Sequence, residues 1–164
     1  MINKDMKLDR NLFSSTSYIA TRDGFGDGIV DAAINNKDIV LLCCDLTEST
    51  RSLKFKNTYP ERFIEIGVAE QNMAGLAAGL AFSGKIPFIT SYAVFSPGRN
   101  WDQIRVSICY SEANVKIIGA HAGISVGPDG ATHQALEDVA IMRVLPNMTI
   151  VVPCDYYEAK KATV

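Results

Sequence analysis

Residues 61–81 read ERFIEIGVAEQNMAGLAAGLA, and the plan of the whole chain is visible in them. The short apolar run at 63–66 has strand length, Gly67 breaks it, and residues 70–82 follow as a helix rich in Ala and Gly. Working outward, residues 39–44 form a continuous apolar run closed by Asp45. A run that does not alternate is what a strand covered on both faces looks like. Before it, Tyr18, Ile19, Phe25, Ile29, Val30, Ala33 and Ile34 recur at helical spacing, which predicts a helix starting near Thr16 or Ser17. After the central stretch come a run at 86–89, a helix over 101–110, a run at 115–120, a helix over 136–144 and a run at 149–152. Asp155 is placed to cap a last helix. Strands alternating with helices predict an α/β fold of three layers, α/β/α, around a mainly parallel sheet. Residues 1–16 read as an irregular segment and 17–164 as the domain. The small residues Ala74, Gly75, Ala77, Ala78 and Gly79 suggest close approach to a neighbouring helix or sheet.

Composition narrows the possible functions. A chain of 164 residues is long enough for one domain with its own core. Apolar residues at 48% and charged residues at 21% argue against disorder, collagen and coiled coil. Sixteen basic and eighteen acidic side chains leave a net charge of -2 with no block of like charge. Neither nucleic acid nor a membrane surface is therefore an expected partner. Cys43, Cys44, Cys109 and Cys154 form no C-x-x-C pair and only two histidines exist, so no metal site is expected in this chain. With no apolar leader-like stretch and no run of eighteen apolar residues, the expected setting is soluble and cytoplasmic.

In an open parallel sheet the ligand sits beyond the carboxyl ends of the strands. That rule selects Asp45-Leu46-Thr47 and residues 67–70, 91–95 and 121–133. Glu70 opens an apolar helix, where it either complements the helix dipole, worth about a few tenths of a kcal/mol, or is a partly desolvated carboxyl suited to acid–base work. In GPDGATHQ, residues 127–134, two glycines set where Asp129 and His133 point. Asp129-Gly130 is also a common turn, and Thr132 a plausible helix cap. His121 ends the preceding run, so both histidines fall within thirteen positions. Tyr92 and Phe95 follow a strand directly, either as core aromatics or as a stack for a flat heteroaromatic ring.

ERFIEIGVAEQNMAGLAAGLA, SVGPDGATHQALEDVAIMRVLPNM and VVPCD together resemble the pyrimidine-binding domain of transketolase, over about residues 21–155. The chain is similar to the C-terminal section of split, two-subunit transketolases. The resemblance implies the thiamine-diphosphate-binding fold, with the cofactor held between two chains. Its diphosphate and Mg2+ would lie on an N-terminal, diphosphate-binding subunit, and its aminopyrimidine ring on this chain. A homodimer or heterotetramer is then expected. The implied activity is ketol transfer, two carbons passing from a ketose phosphate to an aldose phosphate, as in the pentose phosphate pathway.

Position by position, the resemblance makes Glu70 the catalytic glutamate at the ring nitrogen, Tyr92 and Phe95 the stacking aromatics, and Asp45 an aspartate near the cofactor. Asp129 and His133 match residues at the sugar hydroxyls and the reacting carbon. His121, Arg22 and Ser49 match the grip on the sugar phosphate. A third family aromatic falls near Gly98, where this chain has none. Family members also continue with a further helix, strand and domain, so the resemblance implies a truncated chain whose sheet lacks its last strand. 1-Deoxyxylulose-5-phosphate synthase shares the EQ and DG-x-THQ elements and is the near alternative. A non-catalytic assembly module of the same fold is the alternative from another class. Gly26-Asp27-Gly28, followed by Asn57, imitates the GDG…N signature that holds magnesium and diphosphate in thiamine-diphosphate enzymes. Here it falls within the first helix rather than after a strand, and reads as a decoy.

Overall fold

The structure, a computed structural model, describes residues 18–164. The irregular segment expected at 1–16 lies outside them. Strand β1 (Ile39–Cys43) is buried at all five positions, as a non-alternating apolar run requires. It is flanked by β2 (Phe63–Glu65) and β3 (Ile86–Tyr92), with β4 (Lys116–Ala120) beyond β3, and every pairing is parallel. The register aligns Ile64, Leu42, Ile89 and Ile117 across the sheet and, one residue back, Phe63, Leu41 and Phe88. Successive strand side chains point to opposite faces, so the two rows seed two cores.

The first row meets Met73, Ala74 and Ala77 of α3 (Glu70–Phe82) and Met142 of α5 (Asp138–Arg143). It also meets Ile104 and Ile108, on the π-helix Ile104–Tyr110 that continues α4 (Trp101–Gln103). The second row meets Phe25, Ile29, Val30 and Ala33 of α1 (Thr21–Asn35), together with Phe55 of α2 (Leu53–Thr58). Helices on both faces of a parallel sheet make the expected three-layer α/β/α architecture.

The last helix, α6 (Tyr156–Thr163), is capped as expected by Asp155, whose Oδ1 accepts from the Glu158 N–H at 2.8 Å. It lies along α1 at backbone distance. A Cβ on Gly24 would sit 2.2 Å from the Tyr156 carbonyl oxygen, and one on Gly28 would sit 2.9 Å from that of Lys160. Gly26 is pressed against Arg51, whose Cβ would be 2.7 Å away. Asp27 accepts from the Lys54 ammonium and from the Tyr156 hydroxyl, and these two bonds hold its carboxyl below the usual range. The GDG of residues 26–28 is thus a packing device of α1.

Some expectations change. α1 begins at Thr21 and not near Thr16 or Ser17, which lie outside the described residues. Ala20 is extended, and Tyr18 is 94% exposed because the core under α1 begins only at Gly24 and Phe25. Ile19 and Ile34 are exposed too. Residues 149–152 form no strand. Ile150 packs on the core, whereas Val151 and Val152 are exposed along a groove of about 1420 Å3 that β4 lines from the other side. An apolar run signals burial, and pairing needs a neighbouring backbone as well. On α3 the close contacts are made by the buried alanines Ala74, Ala77 and Ala78, while a Cβ on Gly75 or Gly79 would meet nothing within 4 Å. The helix α2 was not legible in LKFKNT, which buries only Phe55.

Candidate active site

After β1 the chain adds β2 on one side and β3 on the other. At such a switch point the loops diverge beyond the strand ends and leave a crevice. Glu70, the first residue of α3, reaches this point and is 1% exposed. Its Oε2 accepts from Arg99 Nη1 at 2.6 Å and its Oε1 from Ser91 Oγ at 3.4 Å. Both oxygens thus turn to the strand end and loop of β3, and neither caps α3. Buried Asn100 donates through Nδ2 to the Glu70 main-chain oxygen (3.1 Å) and to Ser96 Oγ (3.2 Å), tying that loop to the start of α3. An unpaired buried carboxylate is strongly unfavourable, so the Arg99 ion pair is what permits Glu70 to sit there.

Beside the carboxylate the Tyr92 and Phe95 rings lie nearly parallel, 6° apart in plane and 6.2 Å between centroids. His133 meets Phe95 at 81° and 5.3 Å, and Tyr92 at 76° and 6.3 Å. The Arg99 guanidinium lies over Phe95, 4.4 Å from the ring centre. A third aromatic at position 98 is sterically barred, since any Cβ there would fall 2.1 Å from the Val94 carbonyl oxygen. Flat aromatic faces next to a buried hydrogen-bonding carboxylate fit a planar nitrogen heterocycle.

On the far side of Tyr92 lies His121, its ring centre 4.1 Å away. Arg22 Nη1 donates to the Ser49 carbonyl oxygen at 3.2 Å and approaches His121 Nε2 at 3.0 Å. A guanidinium only donates, so Nε2 accepts and the neutral ring carries its proton on Nδ1, which is buried without a partner among the described residues. Burial pushes the His121 pKa down, and the charges of Arg22 and Arg51 add to this, against an upward pull from Asp129. No carboxylate pairs with Arg22 among the described residues.

The chain of contacts therefore runs from Glu70 through Arg99 to Phe95, and on through His133, Tyr92, His121, Arg22 and Ser49. Asp45 stands apart. It is exposed, with a left-handed backbone (φ 57), and its N–H donates to Glu65 Oε1 at 2.7 Å. Glu65 also accepts from Thr47 Oγ1 and the Gly67 N–H, so it clamps the loops after β1 and β2. Asp129 is exposed and reaches the site only through its charge on His121. Thr132 bonds His133 Nδ1 at 2.8 Å instead of capping α5, whose cap position is Glu137. Arg99, Asn100 and Glu65 were not singled out from the sequence, and Ser91 entered only as the first residue of the 91–95 strand end. The available signal was a lone cation, Arg99, in the otherwise uncharged loop SYAVFSPGRNW. Among the described residues no cluster of His, Cys, Asp or Glu is built to hold a metal ion, and no helix is long and apolar enough to cross a membrane.

Fold and site together define a domain that presents a flat aromatic pocket and a buried acid at the switch point of a parallel sheet. Residues 17–164 match the family described as "Transketolase, pyrimidine binding domain". The chain is 48% identical over 143 residues to the "Putative transketolase C-terminal section" of Methanocaldococcus jannaschii, covering 87% of this chain and 45% of that protein. It is 40% identical over 147 residues to one subunit of the apulose-4-phosphate transketolase of Phocaeicola vulgatus, covering 90% of this chain and 47% of that subunit. A solved structure described as "Split gene transketolase, inactive beta4 tetramer" superposes with a TM-score of 0.79 at 48% identity, over 90% of this chain and 47% of that one. The chain belongs to the transketolase family, as its pyrimidine-binding domain. It spans about half the length of the curated relatives it matches.

Proposed function

We propose that this chain is the pyrimidine-binding half of a thiamine-diphosphate-dependent transketolase, acting in ketol transfer from a ketose phosphate to an aldose phosphate. The observation that carries the reading is Glu70, a carboxylate buried at the switch point beside the Tyr92 and Phe95 rings. When bound, thiamine diphosphate supplies the carbon nucleophile and the electron sink for cleaving a ketose next to its carbonyl. In this reading Glu70 hydrogen-bonds the ring nitrogen, while Tyr92 and Phe95 hold the ring flat and keep water from it. His133, packed against both rings, faces the sugar and moves protons at its hydroxyls, with Asp129 orienting the same end. Arg22, His121 and Ser49 draw in the sugar's phosphate, a dianion suited to a guanidinium that has no carboxylate partner among the described residues. Asp45, exposed beyond the end of β1, would stand near the cofactor without joining these contacts.

The GDG of this chain is consumed by α1 packing, so the diphosphate and Mg2+ fall to a partner. That partner is a diphosphate-binding subunit, and the assembly is a soluble, cytoplasmic oligomer. The relative described as an inactive β4 tetramer favours a chain that does not turn over by itself. The apulose-4-phosphate relative favours a sugar phosphate as substrate.

The test is to co-purify the chain with its diphosphate-binding partner and assay ketol transfer from xylulose 5-phosphate to ribose 5-phosphate with thiamine diphosphate and Mg2+. Glu70→Ala should lower the rate about 10²–10⁴-fold while the complex elutes unchanged from a sizing column. A stable complex that transfers nothing, or a Glu70→Ala rate within a few-fold of wild type, would sink the reading.

A further inference from the structure

We propose that Arg99 is an internal occupant of the pyrimidine pocket, a side chain that the cofactor's ring must displace in order to bind. The inference rests on the proposed transketolase function and concerns how access to its site is controlled. Two contacts define the pocket, the Glu70 carboxylate and the face of Phe95, and one guanidinium engages both. Its Nη1 is 2.6 Å from Glu70 Oε2 and its central carbon 4.4 Å from the Phe95 centroid. A guanidinium and an aminopyrimidine share the relevant chemistry, since each is planar, stacks on an aromatic face and offers a nitrogen edge to a carboxylate. A ring that takes its hydrogen bond from Glu70 Oε2 and stacks on the Phe95 face that the guanidinium covers competes with Arg99 for both contacts.

The two members of the pair are unequally placed. The Glu70 side chain is 1% exposed and that of Arg99 44%. Arg99 can therefore swing its charge into water at little cost, whereas Glu70 left behind would keep only Ser91 Oγ, at a long 3.4 Å. Release of Arg99 alone is unfavourable because it strands a buried charge. Release coupled to arrival of a ring is not, because the ring takes over the carboxylate. The backbone around the gate is pinned by the Arg99 N–H to Phe95 carbonyl bond (2.9 Å) and by both Asn100 side-chain bonds. Movement is thus confined to the Arg99 side chain, which keeps the pocket shut against water and stray cations until a planar ligand competes for Glu70.

The measurement is thiamine diphosphate affinity, by equilibrium dialysis with Mg2+, on the complex with the diphosphate-binding partner. An occupant that holds the pocket most of the time lowers apparent affinity by the open fraction. Arg99→Ala is accordingly expected to tighten binding by roughly 5- to 30-fold, with Arg99→Lys in between because a lysine neither stacks flat nor forks. Adding guanidinium chloride at low millimolar levels should weaken binding to Arg99→Ala back toward the wild-type value and leave wild type nearly unchanged. Unchanged or weaker binding in an intact Arg99→Ala complex overturns the proposal, as does a failure of guanidinium to compete. A wild-type complex that binds no thiamine diphosphate overturns the functional reading itself, an outcome distinct from either of these.

Discussion

At the Glu70 end of the site, charge is compensated within the chain. A carboxylate almost without exposure is matched by one guanidinium, and that guanidinium is stacked on the ring beside it. At the other end, past Tyr92, Arg22 meets a carbonyl oxygen and an imidazole nitrogen, and among the described residues no carboxylate. One corner is satisfied and must be opened. The other holds positive charge in excess and is ready for an anion. The difference shows how a single domain can delay one ligand and attract another with the same residue type, arginine, by changing only what faces it.

Beyond the Glu70 and Arg99 variants, three experiments sharpen this contrast. The largest effect is expected for Arg22→Ala. Losing a charge-assisted bond to phosphate should raise KM for a sugar phosphate about 10- to 100-fold and leave thiamine diphosphate affinity unchanged. Equal losses of both would erase the separation of the two corners.

A smaller effect concerns pH. His121 is held below its ordinary value of 6.5 by burial and by Arg22. The unfolded chain therefore takes up a proton before the folded one does. Stability is full above about 6.5 and declines as pH falls from there toward the lowered folded value, where the loss levels off. Melting temperatures between pH 8 and 5 should fall in wild type and fall less in His121→Asn, a residue chosen because asparagine tolerates the left-handed backbone at this position. Inorganic phosphate should restore more stability at the acid end than at pH 8, since an anion between Arg22 and His121 favours the protonated ring.

The smallest effect is that of Asp155→Ala, which removes the cap of α6, the helix that braces the α1 carrying Arg22. A melting-point drop of about 2–4 °C is expected, with KM for sugar phosphate disturbed more than cofactor binding. A disturbance confined to the cofactor side would mean that α6 does not support the Arg22 corner.

Much of this architecture was readable from residue order. IVLLC declared a strand buried on both faces, the 61–81 stretch placed Glu70 at the first turn of a helix after a strand, and Asp155 announced its own cap. Glu70, Tyr92, Phe95, His121 and His133 were recognisable because strand ends in a parallel sheet are where ligands collect. Residues 149–152 misled because their apolar character reports a need for burial, while strand formation depends on a backbone alongside. Asp45 and Asp129 were selected by the same strand-end rule and given their roles by resemblance, and in the structure neither side chain is drawn into the contact chain of the site.

Periodicity and composition determined the layers, the strand identities and the list of strand ends, because side-chain burial repeats with the geometry of the backbone and leaves its trace in neighbouring residues. Only the tertiary structure decided that Arg99 reaches across 29 positions to Glu70, that Arg22 approaches His121 across 99, and that the glycines of the GDG meet α6 and Arg51. Those are long-range encounters between single side chains or bare backbone, and nothing local in the chain encodes which partner will be waiting.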